Sequence, residues 1–121
     1  MKIINLTPHA VTLRDADGVD HTYPSEGVVR VSESVEAAKH VAGLPVPVRP
    51  PASPGGLSGL PDPTEGTAYI VSAMALAHPA VTGRSDVFAP ATGPTDGVVR
   101  YPKDHPQAGQ IQAVTRLVGR V

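Results

Sequence analysis

The sequence has no cysteine and no tryptophan, and its aromatic residues are limited to three tyrosines and one phenylalanine. Without cysteine the chain cannot form a disulfide, a thiolate nucleophile or a thiolate metal site, which argues against a small disulfide-stapled secreted fold. A core with so few aromatic rings must be filled by valine, leucine, isoleucine and alanine. Because β-branched residues favour strands, we expect a mainly β domain.

An excess of one charge and long apolar runs are also missing. The formal net charge is −1, so no basic field is expected to hold duplex nucleic acid by counterion release. The first twenty residues lack the apolar core of a signal peptide, and no window reaches the length of a membrane span. We therefore expect a cytoplasmic protein that contacts neither duplex nucleic acid nor a membrane.

Several catalytic signatures are absent as well. The chain has no phosphate-binding glycine loop, dinucleotide fingerprint, nucleophile elbow or HExxH element. Its five histidines have none of the close spacings typical of local metal ligands; they are His9, His21, His40, His78 and His105. We expect neither a metal nor a cofactor.

Turn residues are abundant, with 14 prolines and 12 glycines between short apolar runs. The length of 121 residues indicates one domain, residues 1–121. The segment 15–18 ends in Asp-Gly and predicts a tight hairpin turn. A second hairpin is predicted from the alternating segments 97–101 and 110–118. The expected fold is mainly β (α+β), a small antiparallel sheet or barrel-like domain with one short helix after the strand at 67–72.

The middle of the chain is harder to interpret. Alternation over 29–41 favours a strand over a helical turn at 34–39, and 46–49 is predicted to pair back as an edge strand. The segment 50–66 is rich in proline, glycine and serine and is predicted to be a surface loop; a functional lid is the alternative.

The most informative passage is TAYIVS at 67–72, followed by a short apolar segment and the polar loop 83–97. A strand that leads into a helix capped by Ser72 directs backbone N–H groups at a neighbouring anion. Arg84 could bind phosphate, and Asp86 and Asn5 could read hydroxyl or base groups. Further candidates for ligand binding are Ser85, Thr92, and Tyr69 or Phe88 as a stacking ring. In the alternative interpretation Ser72 only caps the helix, and Arg84 and Asp86 pair to shape the loop.

His9 is a separate candidate because it follows the bend at Pro8 and lies near Asn5 in sequence. His9 is a further candidate for ligand binding, and if the protein is an enzyme, His9 is the predicted general acid or base. The alternative is a polar side chain on the outer face of a strand.

Four strings, INLTPHAVTL, LPDPTEGTAYIVS, RSDVFAPATGPTDG and IQAVTRL, resemble a family of small, uncharacterised phage and bacterial proteins. The resemblance implies a phage or prophage context, in which small proteins counter host defence, for example by sequestering cyclic or ADP-ribose-derived nucleotides. We therefore expect a homo-oligomer that acts as a sponge for a small phosphorylated, nucleotide-derived molecule in the host cytoplasm. The alternatives are a small phosphodiesterase or lyase acting on such a ligand, and a protein-binding inhibitor or structural module that uses the edge strand at 46–48.

Overall fold

The computed structural model describes residues 1–34, 36–51 and 53–120, and strands predominate within them. The prediction of a mainly β fold with one short helix after residues 67–72 is confirmed. The strands are β1 (Lys2–Asn5), β2 (Val11–Arg14), β3 (Asp20–Tyr23), β4 (Arg30–Ser34), β5 (Ser53–Ser58), β6 (Thr67–Ile70), β7 (Val87–Pro90), β8 (Val99–Arg100), β9 (Ile111–Ala113) and β10 (Leu117–Gly119). Helix α1 spans Ala73–Leu76, and a 3₁₀-helix follows at Pro79–Val81. Within the described ranges, no helix is long and apolar enough to cross a lipid bilayer.

The largest sheet has four strands in the order β1, β6, β7, β10. β1 pairs with β6, and β6 with β7, in parallel, whereas β10 runs antiparallel to β7. Three smaller sheets are antiparallel pairs: β2 with β3, β4 with β5, and β8 with β9. The strands that the structure describes do not close into a barrel. Because β1, β6 and β7 are parallel, their carboxyl ends meet at one edge of the sheet, which we call the carboxyl edge.

The connection from β6 to β7 is a crossover, as parallel neighbours require. The Ser72 hydroxyl accepts a hydrogen bond from Ala75 N–H at 3.2 Å, so the prediction that Ser72 caps α1 is confirmed. Proline cannot continue an α-helix, and Pro79 instead begins the 3₁₀-helix. His78 caps that 3₁₀-helix, because its Nδ1 accepts from Ala80 N–H at 3.1 Å.

The core is built from small and branched side chains in the crossover and in the strands it covers. Val71, Val81 and Val87 are fully buried, and Tyr69 is the one aromatic residue of the buried cluster. The other members of that cluster are Leu6, Val29, Ala75, Leu76 and Ala89. The aromatic-poor composition therefore produces the aliphatic core that the sequence predicts.

The hairpin of β2 and β3 is confirmed, with its turn at residues 15–18. The Asp15 carboxylate accepts from Asp17 N–H at 2.9 Å and from Val19 N–H at 3.0 Å. Gly18 has φ +80°, a left-handed conformation that favours glycine.

The hairpin of β8 and β9 is also confirmed, but the single strand predicted over 110–118 is wrong, because β9 ends at Ala113 and β10 joins the four-stranded sheet. Between the two strands the Thr115 hydroxyl lies 2.9 Å from the Asp96 carbonyl and 3.1 Å from that of Gly97. These side-chain contacts with another loop redirect the chain from one sheet to the other.

Over 29–41 the predicted strand is confirmed for β4, and no helix forms at the described residues 34 and 36–39. Val35 lies outside the described residues. Lys39 pairs with Val48 through mutual backbone hydrogen bonds of 2.8 Å, as predicted for the segment 46–49.

The prediction of a loop over 50–66 is wrong for Ser53–Ser58, which forms β5 beside β4, while Ala52 lies outside the described residues. A Cβ on Gly55 would lie 2.5 Å from the Ser32 carbonyl oxygen, so only glycine permits this close approach. Gly56 N–H also donates to Ser32 Oγ at 2.8 Å. The glycines of this segment led to the prediction of a loop, but in the structure they allow β4 and β5 to pair.

Candidate ligand-binding cleft

Arg84 and Asp86 form a bidentate ion pair beside the start of β7. Arg84 Nε donates to Asp86 Oδ1 at 3.0 Å, and Nη2 donates to Oδ2 at 2.7 Å. The remaining nitrogen, Nη1, donates to the Pro61 carbonyl at 2.9 Å. The hydrogen bonds from Arg84 hold the pKa of the Asp86 carboxyl below its ordinary value. Each guanidinium nitrogen has a protein partner, so the pair shapes the loop, as the alternative interpretation proposes.

Ser72 and Arg84 do not form one anion site. Ser72 lies just beyond the carboxyl end of β6, where its hydroxyl caps α1. Arg84 precedes the amino end of β7, and the Asp86 carbonyl accepts from Tyr69 N–H at 2.8 Å. Because β6 and β7 are parallel, the two side chains lie at opposite ends of the strand pair. Ser85 is exposed beside Arg84.

The two predicted stacking rings are engaged in packing. Tyr69 is 2% exposed, and the guanidinium carbon of Arg84 lies 5.8 Å from the centre of its ring. Phe88 is half-buried and lies against Gly119, where a Cβ would collide with the ring. A nucleobase could reach the Tyr69 face only if the loop opened.

Asn5 is fully buried and bonded at both ends of its amide. Its Nδ2 donates to the carbonyls of His9 at 2.8 Å and Tyr23 at 2.9 Å, and its Oδ1 accepts from Thr7 N–H at 3.0 Å. The Thr7 hydroxyl lies 2.6 Å from the same Oδ1. Asn5 therefore holds the loop that carries His9 in place through hydrogen bonds, and its amide has no hydrogen-bonding capacity left for a ligand.

His9 and Thr92, in contrast, come together. His9 follows β1 and Thr92 follows β7, so both belong to the carboxyl edge. They line one cleft of about 520 Å³, which we call the His9 cleft. Its other lining residues are Ala10, Val11, Thr12, Pro90, Gln107, Gln110, Ile111, Gln112, Ala113 and Val114.

The His9 cleft is a gap between β2 and β9. Val114 N–H donates to the Thr12 carbonyl, and Arg14 N–H donates to the Val114 carbonyl, both at 2.9 Å. These bonds join the two segments in parallel at Leu13 and Val114. Towards the amino ends of the two segments, the described residues form no further backbone hydrogen bond between β2 and β9, so the pairing stops there. Thr12 N–H lies on the same side of β2 as its bonded carbonyl and so borders the gap.

Glutamines distinguish the chemistry of this cleft. The chain has three, Gln107, Gln110 and Gln112, within six residues, and all three line the cleft. An amide side chain both donates and accepts hydrogen bonds and carries no charge. His9 is the one titratable residue in the lining, which otherwise combines uncharged amide and hydroxyl groups with apolar side chains.

The glutamines are the functional candidates that the sequence interpretation missed. Their clustering is visible in the sequence, since the chain has no other glutamine. What the sequence does not disclose is that β9 meets β2, about a hundred residues earlier, because neither segment carries a local signal for that pairing.

No protein-family model matches this chain, and no curated protein or solved structure matches it. We therefore infer the function from the geometry and chemistry of the His9 cleft.

Proposed function

We propose that the protein binds a small, phosphorylated, nucleotide-derived molecule in the His9 cleft. The observation that carries this proposal is the convergence of Gln107, Gln110, Gln112, Thr92 and His9 on one gap at the carboxyl edge of the parallel strands. Crevices at the carboxyl ends of parallel strands are the usual ligand sites of open sheets. A volume of about 520 Å³ lies within the range of small-molecule sites.

The lining favours a nucleoside as the uncharged part of the ligand. A glutamine amide can donate and accept in the same plane, which matches the paired donor and acceptor of an adenine edge. Hydroxyl groups such as that of Thr92 suit a ribose. Val11, Ile111 and Ala113 supply the apolar wall against which a flat base would lie.

The cleft supports binding better than turnover. General acid–base hydrolysis or lyase chemistry commonly divides proton donation and abstraction between two groups, and the lining has one titratable side chain, His9. We assign His9 a hydrogen-bonding role. A phosphodiesterase or lyase would instead lose all turnover on His9→Gln while the ligand still bound.

The biological role we propose is sequestration of a host nucleotide signal by a phage or prophage protein. The support is the resemblance of the INLTPHAVTL and RSDVFAPATGPTDG strings to small phage proteins, together with a cleft suited to binding without chemistry. Assembly into a homo-oligomer is part of the proposal. Its support is the hairpin at 36–51, every described residue of which is exposed, including Val41, Leu44, Val46 and Val48.

The proposal is tested by isothermal titration calorimetry with cyclic dinucleotides, cyclic ADP-ribose and ADP-ribose. The blocking variant is Ala10→Trp, which places an indole at an exposed position in the cleft lining. The matched control is Ala16→Trp at an exposed position of the turn at residues 15–18, outside both the cleft and the 36–51 hairpin. We expect the wild type to bind at least one compound with one site per cleft, Ala10→Trp to bind about tenfold more weakly or not at all, and Ala16→Trp to match the wild type. Equal affinity in Ala10→Trp would contradict the location of the site.

A further inference from the structure

A second cavity adjoins the His9 cleft. It has a volume of about 330 Å³ and is lined by Thr92, Gly93, Pro94, Gly97, Val98 and Arg100. Thr92 belongs to both linings, so this residue borders both spaces. The second cavity, which we call the Arg100 cavity, differs from the first in having a permanent cation in its wall.

Arg100 is connected to the cleft through the β8–β9 pair. It stands opposite Ile111, and directly opposed residues of an antiparallel pair place their side chains on the same face. Ile111 itself lines the His9 cleft. Arg100 Nη1 donates to the Gly109 carbonyl at 2.9 Å, which fixes the guanidinium beside the residue that precedes Gln110.

The guanidinium of Arg100 differs from those of Arg14 and Arg84. Arg14 is paired with Asp20, and Arg84 with Asp86, each through two side-chain hydrogen bonds. Arg100 forms no ion pair with any residue in the described ranges, and its Nε and Nη2 make no hydrogen bond there. Two adjacent donors are thus available in the planar arrangement that matches two phosphate oxygens.

Two carboxylates lie four residues from Arg100 in sequence, Asp104 and Asp96, and Asp96 is engaged elsewhere. Its Oδ2 accepts from Gly93 N–H at 2.8 Å, and its Oδ1 lies 4.0 Å from Arg116 Nη1. Its charge is therefore partly balanced by Arg116 on the loop that leads to β10. Asp96 shapes the loop and leaves the charge of Arg100 unpaired.

Building on the proposed function, we propose that Arg100 binds the phosphate of the ligand while the His9 cleft holds its nucleoside part. The ligand lies across Thr92, with the uncharged end among the glutamines and the anionic end on the two remaining donors of Arg100. The ligand class is a phosphorylated nucleoside, and Arg100 is the residue that distinguishes it from the unphosphorylated compound.

The test is NMR titration of ¹⁵N-labelled protein with two separate probes, sodium pyrophosphate and adenosine. We expect pyrophosphate to shift the amide signals of residues 92–100 in a saturable way, and adenosine to shift those of residues 9–12 and 110–114. Arg100→Gln should weaken pyrophosphate binding about tenfold and leave the adenosine shifts in place, while Arg100→Lys should retain part of the binding. The matched control is Arg49→Gln, because Arg49 is an exposed arginine whose Nη1 also donates to a backbone carbonyl, at 3.1 Å.

The two probes separate the two proposals. If pyrophosphate produces no saturable shifts at residues 92–100, or if Arg100→Gln binds it as tightly as the wild type, the phosphate assignment is wrong. If adenosine produces no shifts in the cleft while pyrophosphate binds as expected, the phosphate assignment stands and the nucleoside part of the proposed function is wrong. The spectrum of each variant also reports whether it is folded.

Discussion

Asn5 is the residue whose removal we expect to disturb the candidate site most. Its amide ties the carbonyls of His9 and Tyr23 to the backbone of Thr7 while fully buried. Replacing one partner of a buried hydrogen bond leaves the others unsatisfied, at a cost of about 1–3 kcal/mol for each such group. We expect Asn5→Ala to lower the free energy of unfolding by about 2–4 kcal/mol, measured by urea denaturation at pH 7.

Asn5→Asp serves as the close comparison, because a carboxylate has nearly the same shape but cannot donate to the two carbonyls. We expect it to be at least as destabilising as Asn5→Ala at pH 7. A change below about 0.5 kcal/mol in both variants, the range of ordinary surface substitutions, would show that the network does not hold the loop.

The Asp86 carboxyl allows us to predict how the free energy of unfolding changes at low pH. Its pKa is lowered in the folded protein by the hydrogen bonds from Arg84. A carboxyl with a lowered folded pKa adds stability above its unfolded pKa, and this contribution is lost as the pH falls through the folded value. We expect Asp86→Asn to be less stable than the wild type by about 1–2 kcal/mol at pH 7, with a difference that shrinks towards pH 2.

The measurement is urea unfolding at a series of pH values, with Asp17→Asn on the exposed hairpin turn as the control. A stability difference between Asp86→Asn and the wild type that stays constant from pH 7 to pH 2 would rule out the linkage to Asp86.

The structural roles of individual residues were predictable where their hydrogen-bond partners are close in sequence. Ser72 as a helix cap and the Asp15 to Gly18 turn depend on contacts within three or four residues. The pairing of Arg84 with Asp86 was one of two interpretations, and sequence could not decide between them, because the Pro61 carbonyl that occupies the third guanidinium nitrogen lies 23 residues away.

At the scale of elements, His78 connects the crossover to β5. Its Nε2 lies 2.8 Å from the Gly55 carbonyl, and because a carbonyl can only accept, Nε2 carries the proton. His78 is 9% exposed, so removing its imidazole leaves a shielded carbonyl and the Ala80 N–H without a partner. We expect His78→Ala to lower the free energy of unfolding by about 1–3 kcal/mol and to speed hydrogen exchange in β5.

The control for His78 is His40→Ala, because His40 is exposed on the 36–51 hairpin. Hydrogen exchange followed by mass spectrometry separates the elements. If β5 in His78→Ala exchanges no faster than in the wild type, while the whole protein is destabilised, the link between the crossover and β5 is not what holds that strand.

The same element explains a limit of sequence interpretation. Proline, glycine and serine predict a loop because each favours turns when the chain is considered alone. In the folded protein the glycines of β5 allow a close approach to Ser32, and pairing with β4 overrides the local preference. Strands were predictable where polar and apolar side chains alternate, as in β2 and β8. They were not predictable where only contacts with the partner strand explain the pairing, as in β5.

At the scale of the whole molecule, the sheet order could not be obtained from the sequence. β1 pairs with β6, and the Leu13 region with Val114, across most of the chain length. Non-local pairing leaves no signature in local periodicity, so the mainly β class was predictable while the place where β2 meets β9 was not. The candidate site therefore lies not in the predicted loop at 83–97 but in a cleft that shares only His9 and Thr92 with the predicted residues.

Ligand binding in the His9 cleft is best tested by native mass spectrometry of protein purified from cells, followed by denaturation and identification of any released molecule. We expect the wild type to carry, or to take up from the nucleotide panel, one phosphorylated nucleoside derivative per His9 cleft. We expect Ala10→Trp, folded and with the same number of subunits, to carry none, and Ala16→Trp to match the wild type. A wild type that stays empty with every compound in the panel, or an Ala10→Trp variant that retains the same molecule at equal occupancy, would contradict ligand binding in this cleft.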